Sequence, residues 1–182
     1  MDETLQEDIV NFWFNECKPE QWFKKDSKFD KKISDRFSEI VELALAGKFD
    51  SWTKTETGCL SLILLLDQFT RNIFRGTSRA FEGDKKSLEI SFLCKERGYL
   101  NSGDMRKCQF MLLPMMHSEE ISVQNDSILL FKNLNNEKTF EYALKHREII
   151  ARFGRFPHRN TLLGRESTDE ELEFLTKVGS SF

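Results

Sequence analysis

Apolar residues recur along this chain at the spacing of an α-helix, and no stretch keeps the period-2 alternation of a strand. Thr4 and Glu7 form a capping-box pattern, followed by Leu5, Ile9, Phe12 and Trp13 on one helical face. The chain turns near Lys18-Pro19, where Gln21-Trp22-Phe23 is expected to fold an aromatic plug back on the core. Phe29, Ile33, Phe37, Ile40, Val41 and Ala44 make a second stripe that Gly47 closes at a C′ position, and Trp52 falls in a connector. From about Gly58 to Arg71 the chain is apolar nearly all round, as a buried helix is. Further helices are predicted near 83–97, 104–113, 118–134 and 138–153. Thr168 and Glu171 supply a capping box for a last helix carrying Leu172, Leu175 and Val178. The pattern predicts an all-α fold, a single domain over residues 1–182 with about seven or eight helices.

Composition sharpens this in two places. Seventeen phenylalanines require a large packed interior, because each ring buries roughly 150–250 Å². The net charge of -3 excludes a general nucleic-acid coat or a polybasic membrane binder while leaving room for a local basic patch. Cys17, Cys59, Cys94 and Cys108 are far apart in sequence and read as reduced thiols. The acidic opening Met1-Asp2-Glu3 does not read as a secretory leader, and the apolar run Cys59 to Leu66 is far shorter than a membrane span. The expected compartment is the cytoplasm.

Candidate chemistry begins with the arginines. Of 16 lysines, none lies between Thr55 and Asp84 or between His146 and Thr176. Arg71, Arg75 and Arg79 occupy the first stretch, and Arg147, Arg152, Arg155, Arg159 and Arg165 the second, where Glu148 is the one acid before Arg165. Lysine is the usual solvated cation, whereas the arginine fork suits bidentate bonding to carboxylate or phosphate. Two readings stay open. The arginines serve an anion site, or they are partners of buried acids such as Asp67, one turn before Arg71.

The histidines fall in polar clusters: His117 before Ser118-Glu119-Glu120, His146 on a helix, and His158 beside Arg159 and Asn160. Such side chains serve acid–base chemistry, or join Asp67, Asp84, Glu119 or Glu120 in a mixed metal site. No metal is assigned, because HExxH and Cys/His pairs are absent. GxGxxG, GxxxxGK[ST] and GxSxG are also absent, which removes the usual dinucleotide, P-loop and hydrolase-elbow readings. Ser118 reads as a helix N-cap with Glu119 and Glu120 in the first turn.

The run Leu66 to Phe81, the segment Pro114 to Glu119, and Arg152 to Asn160 with Leu163-Gly164-Arg165 resemble the signature blocks of bacterial domain-of-unknown-function family nine-twenty-four. Trp13-Phe14, Trp22-Phe23, Phe29-Asp30, Trp52 and the Thr168/Glu171 pair also fit, so the resemblance spans about residue 7 to the C-terminus. Thr70 departs from the pattern, which has proline there. The resemblance implies a tetratricopeptide-like all-helical arrangement, with no cofactor and no established reaction.

The reading favoured on these grounds is a pocket for a small anionic ligand, a phosphate or carboxylate ester. It would be lined by Asp67, Gln68, Arg71, Asn72, Arg75, Arg79, Arg152, Arg155, His158, Arg159, Asn160 and Arg165. Were the protein an enzyme, His117 would be its acid or base and Glu119 would orient it. Rival readings are a helical module that holds an acidic peptide and an internal scaffold without a ligand. Oligomeric state is not legible in the sequence.

Overall fold

The computed structural model describes residues 2–101 and 103–181, and among them helices of α, 3-10 and π type are the regular structure, with no strand. No helix among the described residues is long and apolar enough to cross a membrane. The described chain divides into two compact units. One runs to Arg75 and resumes over Arg79–Pro114; the other takes Gly76–Ser78 and the described residues from Met115 onward.

In the first unit, α1 (Asp2–Asn11) passes directly into a π-helical turn, Phe12–Glu16. It already runs at Asp2, so Thr4 lies inside the helix and not at its cap. Helix α2 (Ser27–Leu45) starts where the Asp26 carboxylate accepts the Lys28 and Phe29 N–H groups, two donors the first turn leaves without helical partners. Its buried face is Phe29, Ile33, Phe37, Val41 and Ala44, and Gly47 follows at φ 80°, as its expected C′ role requires. The Thr55 hydroxyl caps α3 (Glu56–Ile63), which continues through a π segment, Leu64–Phe69, into α4 (Thr70–Ile73). Every residue from Gly58 to Thr70 is buried. Helices α5 (Asp84–Glu96) and α6 (Met105–Met116) follow, α6 running past Pro114 where the sequence suggested an end near 113.

The first unit's core is a stack of rings. Phe12 meets Phe37 at 4.9 Å, Phe37 meets Phe69 at 5.0 Å, and Trp13 meets Phe69 at 5.4 Å and Phe110 at 5.5 Å. Such pairs add about 0.5–1.5 kcal/mol each beyond burial. The aromatic plug forms only in part. Trp22 donates its indole N–H to the Trp13 carbonyl at 3.0 Å, whereas Phe23 stacks one face on Phe110 and is otherwise exposed.

The second unit pairs α7 (Ile121–Asn133) with α8 (Glu137–Phe153) through a short turn in which Asn135 takes φ 52° and Asn136 caps α8. Gly154, at φ 68°, ends α8. Ile149, Ile150 and Phe156 form a core cluster with Phe153 and Phe174 against it. Helix α9 (Asp169–Leu175) has the expected Thr168/Glu171 capping box. Leu172 is exposed, contrary to the apolar face predicted for it, because α9 turns Glu171 inward instead, and Val178, also exposed, lies beyond the end of the helix. Helix α7 also begins later than predicted. Ser118 accepts the Glu120 N–H at 3.2 Å as part of the approach to the helix, which leaves Glu119 outside it and available to long-range partners.

Candidate functional site

Each of the predicted polar blocks is organised, but their charge balances differ. In the first unit the π segment carries Asp67 and Gln68 into the interior, and π turns recur where a helix must present side chains out of the usual register. Asp67 is wholly buried, accepts from the Gln68 amide, and lies 3.2 Å from the Arg71 guanidinium. Arg71 also donates to the Asp67 carbonyl at 2.7 Å and pairs with Asp84 at 2.8 Å. Burial works to lower the Arg71 pKa, and the two carboxylates outweigh it.

Asp30 receives Asn72 at 2.8 Å and both forks of Arg75 at 2.6 and 2.8 Å. Burial pushes the Asp30 carboxyl up, and these bonds bring it below its ordinary value. Arg79 spans Glu42, at 2.8 and 3.0 Å, and Glu82, at 3.0 Å, and lies 3.9 Å from the Phe74 ring. Arg71, Arg75 and Arg79 therefore face five carboxylates: Asp30, Glu42, Asp67, Glu82 and Asp84. This centre is acidic on balance, the pattern of an internal ionic network.

In the second unit, several arginines are likewise held by acids. Arg152 meets Glu170 at 2.6 Å. Arg155 forks onto Glu171 at 2.7 and 2.8 Å and reaches the Glu166 carbonyl. The Arg155 bonds hold the Glu171 carboxyl at about 2, with the Thr168 N–H and Asn160 adding to the effect against burial. Asn160 is buried and donates to Ser167 at 3.0 Å and Glu171 at 3.2 Å while accepting from Arg165 at 3.0 Å. Arg165 is bidentate on Glu119 at 2.6 and 3.0 Å, and Glu119 also accepts the Phe156 N–H at 2.7 Å. Burial alone would raise the Glu119 carboxyl; these bonds and the Arg165 and Arg159 charges hold it low. Glu119 thus orients Arg165 and the Phe156 backbone.

His146, His158 and Arg159 gather around the buried Phe156 ring, and His117 lies beside His146. His146 lies 5.5 Å from the ring, His158 5.6 Å, and the Arg159 guanidinium 4.6 Å; His117 is 6.2 Å from His146. His146 and Arg159 are buried, while His117 and His158 are half-buried. The His146 Nδ1 bonds the Tyr142 carbonyl at 2.7 Å. Since a carbonyl only accepts, Nδ1 carries the proton there. Burial drives the His146 pKa down to about 3, helped by His117, Arg159 and His158 and opposed by the Tyr142 bond. No three His, Cys, Asp or Glu side chains among the described residues are arranged to hold a metal ion.

Two members of this constellation carry no motif. His146 sits on the apolar stripe of α8 with Ala143 and Ile150, and a polar ring on a buried stripe is the signal that marks it. Gln124 is buried on α7, and its amide donates to both the Met116 and Ser118 carbonyls at 2.7 Å, clamping the backbone on either side of His117.

The fold and these clusters define an all-helical protein with an acidic network in one unit and a His/Arg cluster in the other. The chain belongs to the family described as "Bacterial protein of unknown function (DUF924)", which matches residues 9–179. It is similar to a solved protein of unknown function, ATU0120 from Agrobacterium tumefaciens, at 37% identity and a TM-score of 0.91, over 96% of this chain and 98% of that one. A comparison with the curated proteins finds no match.

Proposed function

We propose that the second unit binds a small oxyanion at the cluster of His117, His146, His158 and Arg159. The observation that carries this reading is the gathering of two imidazoles and a buried guanidinium around one ring, with a third imidazole beside them. Arg159 lies beside the imidazoles at the Phe156 ring, and Arg165 is close by on Glu119. Guanidinium and imidazole groups brought together in a partly desolvated place suit an anion. The five carboxylates around Arg71, Arg75 and Arg79 argue against drawing one to the first unit. Histidines beside a bound phosphate ester could also transfer protons to it, with His117 the half-buried and accessible choice.

The test is thermal denaturation of the full chain with inorganic phosphate, sulfate, acetate and citrate, for the parent and Arg159→Met. A ligand at a hundred times its Kd stabilises the fold by about 2.7 kcal/mol. The parent is expected to gain stability from at least one anion. Arg159→Met is expected to lose that gain, the methionine keeping contact with the Phe156 ring but offering no charge to an anion. Absence of any anion effect in the parent would overturn the proposal.

A further inference from the structure

Helices α3 and α5 pack against each other in the first unit, and the contact brings two cysteines together. Cys94 lies on the buried face of α5 with Ser87, Ile90 and Ser91, a spacing of three and four residues that keeps one side of a helix inward. Cys59 lies in the first turn of α3, after the Thr55 cap. Both are free thiols and wholly buried, and their sulfurs are within hydrogen-bond reach of each other. Cys59 donates its S–H to the Thr53 carbonyl at 3.3 Å, so its lone pairs are left to accept the Cys94 S–H.

We infer that Cys59 and Cys94 form a reversible oxidation site, a dithiol that a peroxide converts to a disulfide tying α3 to α5. The site is independent of the anion site proposed for the second unit. Its surroundings give the two sulfurs different roles. The Cys94 S–H lowers the Cys59 pKa, and the Arg97 charge adds to this against burial and Glu56. The same bond raises the Cys94 pKa, together with burial and Glu56 and against Arg97. The first turn of a helix also favours a thiolate on Cys59. Arg97, exposed at the end of α5, donates to the same Thr53 carbonyl that Cys59 meets, and Thr53 is half-buried. The sulfurs therefore lie directly beneath the surface, where a small oxidant is needed and a bulky one is excluded.

The thiolate of Cys59 attacks one peroxide oxygen, the O–O bond breaks, and Cys59 becomes a sulfenic acid. The departing hydroxide takes the proton that Cys59 gave up and leaves as water. The Cys94 sulfur then attacks the Cys59 sulfur, the S–S bond forms as the S–O bond breaks, and the Cys94 proton leaves with the hydroxyl as a second water. Two electrons pass from the sulfurs to the peroxide, and a thiol reductant returns them by exchange.

The test is to treat the full chain with hydrogen peroxide, then unfold it, alkylate it and map it by mass spectrometry. Two of the four thiols should be lost together, with a mass lower by two hydrogens and a linked pair of peptides bearing Cys59 and Cys94. Dithiothreitol should reverse all three changes. Cys17 and Cys108, buried in the same unit, should stay open to alkylation and serve as internal controls. In Cys94→Ser, Cys59 should stop at a sulfenic acid that dimedone captures, whereas in Cys59→Ser the remaining Cys94 should stay unmodified. Cys59 and Cys94 alkylated after peroxide as fully as before it, or linked to Cys17, to Cys108 or to a second molecule, overturns the inference. The parent alone decides this, even where a serine variant fails to fold. Dimedone captured by Cys94 in Cys59→Ser, and not by Cys59 in Cys94→Ser, overturns the assignment of roles.

Discussion

Neutralising Asp67 and Asp84 separately and together measures what the first unit's ionic centre contributes. Arg71 has one-fifth of its side chain exposed, and its two carboxylates differ: Asp67 is wholly buried and Asp84 about one-fifth exposed. Asp67→Asn keeps the shape and removes one charged partner from a guanidinium that retains Asp84 at 2.8 Å. A hydrogen bond to a charged group is worth about 1.5–3 kcal/mol, so this variant should lose about 2 kcal/mol. Asp84→Asn, where water reaches the site, should lose about 1 kcal/mol. The double variant strands a mostly buried guanidinium with no carboxylate, a situation that costs about 3–5 kcal/mol. The loss should then exceed the sum of the singles by about 1–2 kcal/mol, within the usual range for contacting residues. Urea denaturation followed by helical circular dichroism reads all four proteins, and each 1 kcal/mol corresponds to about 2–4 °C in a chain of this size. Additivity within about 0.5 kcal/mol, or an Asp67→Asn loss below about 1 kcal/mol as for an exposed pair, would refute the shared-arginine reasoning.

Acid should destabilise the protein in two overlapping windows. Below about 6.5 the unfolded chain protonates His146 and the folded chain does not until about 3; stability therefore falls with pH by up to about 1.4 kcal/mol per unit, and His146→Gln should flatten that slope in a pH series of denaturation curves. Glu171, held at about 2 against an ordinary 4.5, contributes stability that is present above 4.5 and lost as pH falls towards 2, so Glu171→Gln should show a smaller acid loss there than the parent. Gln124→Leu removes two buried bonds to backbone carbonyls and should lower stability by about 2–4 kcal/mol; a loss under about 1 kcal/mol in urea would show that the clamp on the His117 segment is unimportant.

What the sequence discloses is what local spacing encodes. The Thr168/Glu171 capping box, the Gly47 stop, the stripe from Phe29 to Ala44 and the Asp67/Arg71 pair are all decided within a turn or two, and all form as read. The arginine-only segments correctly announce bidentate bonding, as Arg75, Arg155 and Arg165 display. Their partners were not legible. Asp30 lies 45 residues from Arg75, and Glu119 lies 46 from Arg165. A fork suits a protein carboxylate and a ligand phosphate equally well. The π turns were hidden for a similar reason, because widening a helix by one residue answers to the rings packed on it. The exposure of Leu172 follows from Glu171 claiming the inward face, a choice made by Arg155 and Asn160 and not by α9 itself.

The proposed separation of scaffold from site therefore rests on which side chains surround each arginine, since arginine content is alike in both units. Around Arg71, Arg75 and Arg79 acids outnumber guanidiniums, and each arginine is fixed by a carboxylate. Removing Arg71 or Arg75 leaves negative charge behind on the buried Asp67 or the mostly buried Asp30, which is why they read as structure. Around Phe156 the composition differs. Glu119 is occupied by Arg165 and a backbone N–H, and the ring itself is met by His146, His158 and Arg159. A buried imidazole kept from its proton costs the fold stability in acid, and such a local conflict is of the kind expected at a functional site. That is the ground on which we propose the second unit, and not the first, as the place where an oxyanion binds.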